Sequence, residues 1–404
     1  MALVFDKRDE LQGKDGIHAV IVGVSDYLNL PDHDDPTGDD TWFLNKLTSA
    51  AISALTTFEW ISQSPLRLPL KTVRLLLSPS ATELAAFPAL AAMPDIAAGG
   101  TGRATRAAFE ADVRAWRKDA RANANDMTIF YFAGHGMQRG PEEGVLLLED
   151  FLADDGSPPL ANAFEISNIR NGMAPSDQSP NIALTQFYFI DACLNRPETQ
   201  KKYVNPQVPD VFGVVLNGVD KREAPMLFST VDGALSLGRA GKPSHFAEAL
   251  KIALNVAAED PDDSQGATLW PITSMTIKNA LDAYYVKQKL GTRVKIGGVV
   301  GEPVIRYLDQ PPPVDISILV QPNTFGTPCD VALFDDNNAM ASQCNTAAPL
   351  GAGLVFEATV KAGFYRVQIA SDRLKQNPYR SNQKFVTQRG PWPWLHNLAQ
   401  IIIP

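Results

Sequence analysis

The sequence predicts an α/β protein, with a three-layer domain around a mostly parallel sheet and then a small all-β, sandwich-like domain. Short, almost unbroken apolar runs, typical of strands buried on both faces, alternate with stretches that carry apolar residues at helical spacing. Such alternation is typical of βαβ units with right-handed crossovers. Three consecutive prolines, Pro311 to Pro313, interrupt the pattern, and the residues beyond them alternate apolar with polar side chains between turn signals.

Each predicted element follows from one of these patterns. The strand candidates of the α/β domain are residues 17–24, 73–77, 127–132, 145–148, 186–190 and 225–230, and the helix candidates are residues 42–61, 105–122, 164–173, 246–257 and 275–286. Residues 81–102 are rich in Ala, Pro and Gly, which predicts an inserted surface segment with little regular structure. Further strands are expected at residues 314–320, 330–334, 354–360 and 363–369. The predicted domains are residues 1–310 and 311–404, since three prolines cannot continue a helix or a central strand.

The composition argues against several classes of function. The 404 residues carry a formal net charge of −9 and show no cluster of Lys and Arg, so a nucleic-acid partner is not expected. No apolar run approaches the length of a bilayer span, and charged residues begin at Asp6, so neither a membrane span nor a secretory signal is predicted. Three cysteines, Cys193, Cys329 and Cys344, are too few for a disulfide scaffold, which fits a reducing cytoplasm.

Two residues that can carry out chemistry follow predicted buried strands. His135 stands in a Gly-His-Gly tripeptide after the strand 127–132, and Cys193 comes shortly after the strand 186–190. Because ligand chemistry in such sheets lies at the carboxyl ends of the strands, both side chains are expected at one edge. A lone Cys is more often a small buried apolar residue, and a lone His is more often a structural group. Together, at two strand ends, they favour a functional pair.

Peptide hydrolysis by a thiol gives each of these residues a role. The reaction needs a nucleophile that can become a thiolate, an imidazole that protonates the leaving amine, and backbone N–H groups directed at the oxyanion. Gly136 lets the backbone approach a scissile carbonyl without a Cβ in the way. The N–H groups of Gly136 and Cys193 are therefore the candidate oxyanion hole, and no cofactor is required.

Four segments resemble the caspase and metacaspase family of cysteine peptidases, over about residues 15–310. They are HAVIVGVSDY, FYFAGHG followed by VLLLEDF, FYFIDAC, and FSTVDGALSLG. The resemblance implies a caspase-like sheet and an endopeptidase whose dyad is His135 and Cys193. Similarity to prokaryotic members with a C-terminal accessory domain suggests a cytoplasmic effector in stress or phage defence, regulated by cleavage or by a protein partner.

The residue two before Cys193 departs from the caspase signature Gln-Ala-Cys-x-Gly, whose histidine lies about 50 residues upstream. Here Asp191 stands in the Gln position, Leu194 and Asn195 follow the nucleophile, and His135 lies 58 residues upstream. In the relatives that cut after Arg or Lys, an acidic residue at this position lines the pocket for the first substrate side chain. The resemblance therefore implies that Asp191 selects protein or peptide substrates with a basic P1 residue and repels aspartate.

Three further residues are candidates for the same substrate pocket. Asp26 comes just after the strand 17–24, and Ser229 and Asp232 lie at or just past the strand 225–230. For either carboxylate the alternative is a capping role, because Asp after a strand often caps a turn or a helix.

Two alternatives stay open. The acidic residues between Asp32 and Asp40 could bind a divalent cation, but they lack an EF-hand pattern, so a solvated loop is favoured and no metal site is expected. The chain could also be a catalytically idle caspase-like scaffold that acts as a protein-interaction module. The presence of both His135 and Cys193 counts against that alternative.

Overall fold

The computed structural model describes residues 2–93, 102–140, 143–153, 156–193, 207–213, 220–230, 238–258, 261–262, 268–298, 301–321, 329–335, 337, 339–344, 348–350, 353–371, 379–380, 385–386 and 397–402. The chain divides into two compact units, residues 1–251 with 289–303, and residues 252–288 with 304–404. The predicted boundary after residue 310 does not coincide with this division and stays a prediction.

Helices and strands are numbered in chain order. The strands are β1 (Leu3–Asp6), β2 (Ile17–Val24), β3 (Leu70–Ser78), β4 (Met127–Gly134), β5 (Gly136–Gly140), β6 (Glu143–Leu147), β7 (Ala163–Glu165), β8 (Thr185–Ala192), β9 (Met226–Phe228), β10 (Trp270–Thr273), β11 (Lys295–Gly297), β12 (Val304–Leu308), β13 (Pro313–Gln321), β14 (Cys329–Asp335), β15 (Met340–Cys344), β16 (Ala348–Leu350), β17 (Gly353–Lys361), β18 (Phe364–Ser371), β19 (Tyr379–Arg380), β20 (Phe385–Val386) and β21 (Asn397–Ile402). The helices are α1 (Ala50–Gln63), α2 (Ala81–Ala86), α3 (Pro88–Ala91), α4 (Arg106–Ala120), α5 (Ile166–Gly172), α6 (His245–Val256) and α7 (Ser274–Gln288).

A seven-stranded sheet organises the first unit. Its spatial order is β1-β3-β2-β4-β8-β9-β11. The five central strands run parallel, and β1 and β11 pair antiparallel at the two edges. Every residue of β2 and β4 is buried, which explains why their sequences are almost continuously apolar. The predicted mostly parallel α/β sheet is confirmed.

Helices cover both faces of this sheet, since consecutive residues of a strand point to opposite sides. Val22 of β2 belongs to the buried cluster that contains Phe109 of α4. The next residue, Gly23, faces α1: a Cβ at Gly23 would lie 2.6 Å from Cβ of Ala54 and 2.7 Å from the carbonyl oxygen of Ala50. The missing side chain therefore lets the α1 backbone pack directly on β2, and the three predicted layers are present.

The helix predicted over residues 42–61 begins later than expected. Trp42 and Phe43 have φ values of 54° and 57°, in the left-handed region through which an α-helix of L-residues does not continue. A short 3-10 helix at Asp39–Thr41 precedes them, and α1 starts only at Ala50.

The expectation of little regular structure over residues 81–102 is wrong for the described part, which contains α2 and α3. Ser80 and Glu83 form a capping box at the start of α2, a signature that the Ala- and Pro-rich composition obscured. Glu83 is fully buried, and its Oε1 accepts hydrogen bonds from the N–H groups of Ala51 and Ile52 at 3.0 and 3.2 Å. The segment therefore caps α1. Residues 94–101 lie outside the described part of the chain.

Smaller sheets complete the chain. A three-stranded antiparallel sheet of β5, β6 and β7 follows directly after His135, and β10 pairs with β12. In the second unit, β16-β17-β13-β21 form one sheet, and β15-β14-β18-β19 form another, to which β20 is added through β18. From residue 313 onward the described residues form strands and no helix, which confirms the predicted all-β character of the C-terminal part.

Replacement of Gly23 by Ala should destabilise the first unit, because the added methyl group overlaps the Ala50 carbonyl oxygen and the Ala51 Cα of α1. Overpacking of a buried site lowers the free energy of unfolding by about 1–3 kcal/mol. Urea unfolding followed by circular dichroism measures this loss. Gly213→Ala is the matched control, since nothing lies within 4 Å of a Cβ at Gly213. Equal unfolding midpoints for the two variants would contradict the close contact between α1 and β2.

Candidate active site

The two predicted catalytic residues lie at adjacent strand ends. β4 and β8 pair in parallel through eight residue pairs, the last of which joins Gly134 to Ala192. His135 and Cys193 are the next residues of the two strands, and both are partly buried. The parallel register therefore brings the imidazole and the thiol to one edge of the sheet, as the sequence predicts.

Gly136 packs against the backbone of Cys193. A Cβ at Gly136 would lie 2.8 Å from the carbonyl oxygen of Cys193 and 3.0 Å from Cβ of Ala192. The same Cβ would lie 3.1 Å from Cδ2 of Leu146, on the facing strand β6. A side chain at position 136 would therefore displace the segment that carries Cys193 or the β5–β6 hairpin. The need for glycine here is steric, in addition to the predicted oxyanion role.

Two hydrogen bonds orient His135. Its backbone N–H donates to the hydroxyl of Tyr27 at 2.6 Å, and its Nε2 lies 2.7 Å from the carbonyl oxygen of Asn45. Because a carbonyl oxygen only accepts, Nε2 carries the hydrogen in this contact, and Nδ1 is the basic nitrogen of the neutral ring. The ring also packs on Tyr27, with 4.9 Å between ring centroids and 42° between planes.

Burial sets the protonation states of this pair of rings. Desolvation lowers the pKa of His135 to about 4, and the hydrogen bond to Asn45 acts in the opposite direction. Burial likewise raises the pKa of Tyr27, the hydrogen bond from His135 lowers it, and the charge of a Cys193 thiolate raises it. At neutral pH the imidazole is therefore a neutral proton acceptor, and the Tyr27 hydroxyl stays protonated.

Asp191, on β8 two residues before Cys193, is buried, with 5% of its surface exposed. Its Oδ2 accepts a short hydrogen bond from the Ser244 hydroxyl and lies 3.5 Å from the Tyr131 hydroxyl. Ser244 is itself fixed, since its N–H donates to Ser53 Oγ at 2.9 Å and its Oγ accepts from the N–H of Ala247 at 3.0 Å. Ser244 and Tyr131 escape sequence analysis because no motif marks them, although a Ser directly before a helical stretch is a recognisable capping signal.

Asp26 reaches the same sheet edge but carries its own counter-ions. Lys46 Nζ lies 3.2 Å from Oδ1, and Arg103 Nη2 lies 2.7 Å from Oδ2. Arg103 also pairs with Glu149 at 2.5 Å, and Lys46 with Asp32 at 3.1 Å. The structure therefore places Asp26 in an ion-pair network, an arrangement that the sequence pattern did not suggest.

Ser229 lies beside the end of β8. Its N–H donates to the carbonyl of Ile190 at 2.8 Å, and its hydroxyl donates to the carbonyl of Ala192 at 3.3 Å. Only 1% of the residue is exposed, so it supports the backbone immediately before Cys193. Asp232 lies outside the described residues.

Residues 32–35, three of which are aspartates, line a surface cavity of about 650 Å³ at this edge, together with Asp26, Lys46 and Arg103. The Asn45 amide donates to the carbonyls of Asp32 and Asp35, both at 2.8 Å, and so orders this turn.

In the described part of the chain, no group of three or more His, Cys, Asp or Glu side chains is arranged to hold a metal ion. Nor does any described helix have the length and apolar character to cross a bilayer.

The sequence model of the caspase domain matches residues 18–269. Among solved structures, the chain is similar to protein GSU0716 from Geobacter sulfurreducens, with 14% identity, a TM-score of 0.39, and coverage of 70% of this chain and 92% of that one. It is also similar to caspase-1 from Spodoptera frugiperda, with 13% identity, a TM-score of 0.39, and coverage of 76% and 97%. No curated protein matches the chain.

The family match covers more than half of the chain and includes both strand ends that carry His135 and Cys193. The chain therefore belongs to the caspase-domain family, as the four quoted segments predicted.

The imidazole of His135 should titrate about 2.5 pH units below the ordinary histidine value of 6.5, because burial disfavours its charged form. NMR of the ring Cε1–H resonance, assigned with a His135→Gln variant, measures this pKa. Since a lowered pKa keeps the imidazole neutral above about pH 4, the resonance should shift mainly between pH 3 and pH 5. A midpoint near 6.5 would show that the ring is solvated and would contradict the enclosed site.

Proposed function

We propose that the chain is a cysteine endopeptidase in which Cys193 is the nucleophile and His135 its acid/base partner. The supporting observation is the adjacency of the two residues at the ends of β4 and β8, with Gly136 against the Cys193 carbonyl and Nε2 of His135 held by Asn45. This arrangement leaves Nδ1 as the basic nitrogen of a neutral imidazole, the form that a general base requires.

The proposed reaction has two halves. Nδ1 of His135 takes the thiol proton, the Cys193 thiolate attacks the scissile carbonyl carbon, and the N–H groups of Gly136 and Cys193 stabilise the oxyanion. The imidazolium then protonates the leaving amine, which departs and leaves a thioester on Cys193. A water molecule, deprotonated by the imidazole, hydrolyses the thioester and regenerates the thiol. The protein itself supplies every group, so no cofactor takes part.

Preference for Arg or Lys at P1 is the second part of the proposal. Asp191 is buried two residues before the nucleophile, and the hydroxyl of Ser244 fixes the orientation of its carboxylate. A buried carboxylate attracts a guanidinium or ammonium group and repels an aspartate side chain more strongly than an exposed one would. Asp26 is a secondary candidate, because a substrate cation would compete there with Lys46 and Arg103. Roles for Ser229 and Asp232 in the pocket stay predictions.

The wider role follows only from the family resemblance. A regulated effector in stress or defence signalling, located in the cytoplasm and controlled by a protein partner, stays a prediction. The rival proposal is a catalytically idle scaffold, and a peptidase assay separates the two.

Cleavage of fluorogenic peptides that end in Arg or Lys should fall by at least about a thousandfold in a Cys193→Ala variant, since removal of the nucleophile leaves only binding and oxyanion stabilisation. Cys344→Ala, which removes a cysteine of β15 in the second unit, should keep full activity. Equal activity in the two variants would remove Cys193 from the mechanism. If the unmodified chain stays inactive after exposure to calcium and to activating proteases, the scaffold alternative is correct.

Asp191→Asn should lower kcat/KM for Arg and Lys peptides by about a hundredfold, because it removes the charge that pairs with the P1 cation while it keeps the side-chain shape. Asp34→Asn is the matched control: it removes the same charge from the same edge of the sheet, but its side chain is 98% exposed. Parallel assays with Asp-terminated peptides check the direction of selectivity. A wild-type preference for Asp peptides would overturn the basic P1 assignment and leave the dyad untouched.

A further inference from the structure

A second pocket, of about 380 Å³, lies away from the dyad, on α4 and the residues that follow α5. Its lining includes Arg114 and Arg117 of α4, together with Asn171, Ser176, Gln178 and Phe212. None of these residues belongs to the candidate active site. The volume falls in the range of small-molecule sites, and the lining combines one aromatic ring with several hydrogen-bond donors.

Both guanidinium groups converge on one aromatic ring. Cζ of Arg114 lies 5.8 Å from the Phe212 ring centroid, and Cζ of Arg117 lies 5.7 Å from it. Cation–π contacts of this kind hold the two guanidinium groups near each other despite the repulsion between their like charges. The ring itself is tightly placed, since a Cβ at Gly172 would lie 2.1 Å from its Cδ2 atom.

The two arginines differ in how their charges are compensated. Arg114 donates to Glu110 Oε1 through Nε and Nη2, at 3.0 and 2.6 Å. Among the described residues, the side chain of Arg117 has one hydrogen-bond partner, the carbonyl of Gly172, to which its Nε donates at 2.6 Å. Burial and the nearby charge of Arg121 lower the pKa of Arg117, and no carboxylate offsets them. The pocket therefore contains a half-buried cation that forms no ion pair with a carboxylate among the described residues, and the acidic Asp177 is a further lining residue.

We propose that this pocket binds a small molecule that carries an oxyanion group, phosphate or carboxylate, through Arg117 and Arg114. A planar guanidinium donates two parallel hydrogen bonds to such a group, and a bound anion would remove the repulsion between the neighbouring cations. The side-chain amides of Asn171 and Gln178 and the Ser176 hydroxyl supply further donors. The volume leaves room for more than the anionic group alone.

Occupancy should also tighten the segment 207–213, which contains Phe212 and belongs to the connection between Cys193 and β9. Asn168 clamps this segment: its Oδ1 accepts from the N–H groups of Val211 and Phe212 at 2.9 and 3.0 Å, and its Nδ2 donates to the Phe212 carbonyl at 2.9 Å. Arg106 adds a bond from Nη2 to the carbonyl of Pro209 at 3.1 Å. An anion held against Phe212 would thus reinforce a segment that already has a fixed anchor.

Isothermal titration calorimetry of the full chain with inorganic phosphate, pyrophosphate and citrate tests the proposal, with sodium chloride at matched ionic strength as the blank. We expect saturable binding of at least one of these anions, and the ranking of the phosphates against citrate identifies the group. Arg117→Gln should weaken the affinity for that anion by about tenfold or more, because the variant loses one or two charge-assisted hydrogen bonds. Lys118→Gln, which removes the same charge from an exposed neighbour, should bind as the wild type does.

Arg114→Gln is the second variant. The ion pair between Arg114 and Glu110 is half-exposed, so the loss of this pair should leave the fold intact. Hydrogen exchange with and without the tightest-binding anion locates the site, and slower exchange is expected in α4 and in residues 207–213. The proposal is overturned by an absence of saturable binding, by equal affinities in the Arg117 and Lys118 variants, or by protection confined to other segments. The measurements need no peptidase activity, so they stand apart from the proposed function.

Discussion

The parallel pairing of β4 with β8 is the interaction on which the candidate site depends. Its register runs from Met127 opposite Thr185 to Gly134 opposite Ala192, and both strands are buried along nearly their whole length. A slip of one residue would move every side chain of the shifted strand into the opposite helix layer, where the packing differs, and would change the relation of His135 to Cys193. Apolar packing therefore fixes the relation between the imidazole and the thiol before either residue makes a contact of its own.

The irregular chain between β2 and α1 completes the site. Helix formation over residues 42–61 would have directed the Asn45 carbonyl along a helix axis, into the bond with residue 49. Left-handed backbone at Trp42 and Phe43 prevents this, and the N–H groups of Lys46 and Leu47 donate instead to Pro31 and Ser25, at 2.9 and 2.8 Å. The Asn45 carbonyl is thereby available to Nε2 of His135. The feature that defeats the helix prediction is the one that sets the tautomer of the imidazole.

This contrast explains how far the sequence could predict the molecule. Runs such as Ile17–Val24 and Met127–Phe132 encode buried parallel strands through their side-chain pattern, so the mostly parallel sheet and the strand ends that carry His135 and Cys193 can be predicted from the sequence. A backbone carbonyl from a distant loop has no side-chain signature, so the contact between His135 and the Asn45 carbonyl cannot be predicted from the sequence. The same holds for the pairing of Asp26 with Lys46 and Arg103, because residues 20 and 77 positions away meet only once the sheet has formed.

Two carboxylates at the same edge differ in the kind of partner that holds them. Asp26 meets two cations in a partly exposed network, so its negative charge is already offset before a ligand arrives. Asp191 accepts hydrogen bonds from the hydroxyls of Ser244 and Tyr131, which orient its carboxylate. A buried, oriented carboxylate acts on an incoming charge more strongly than a carboxylate that is exposed to solvent. The proposed selection of a basic side chain therefore assigns the main role to Asp191, while Asp26 pairs with Lys46 of the loop that also supplies the Asn45 carbonyl.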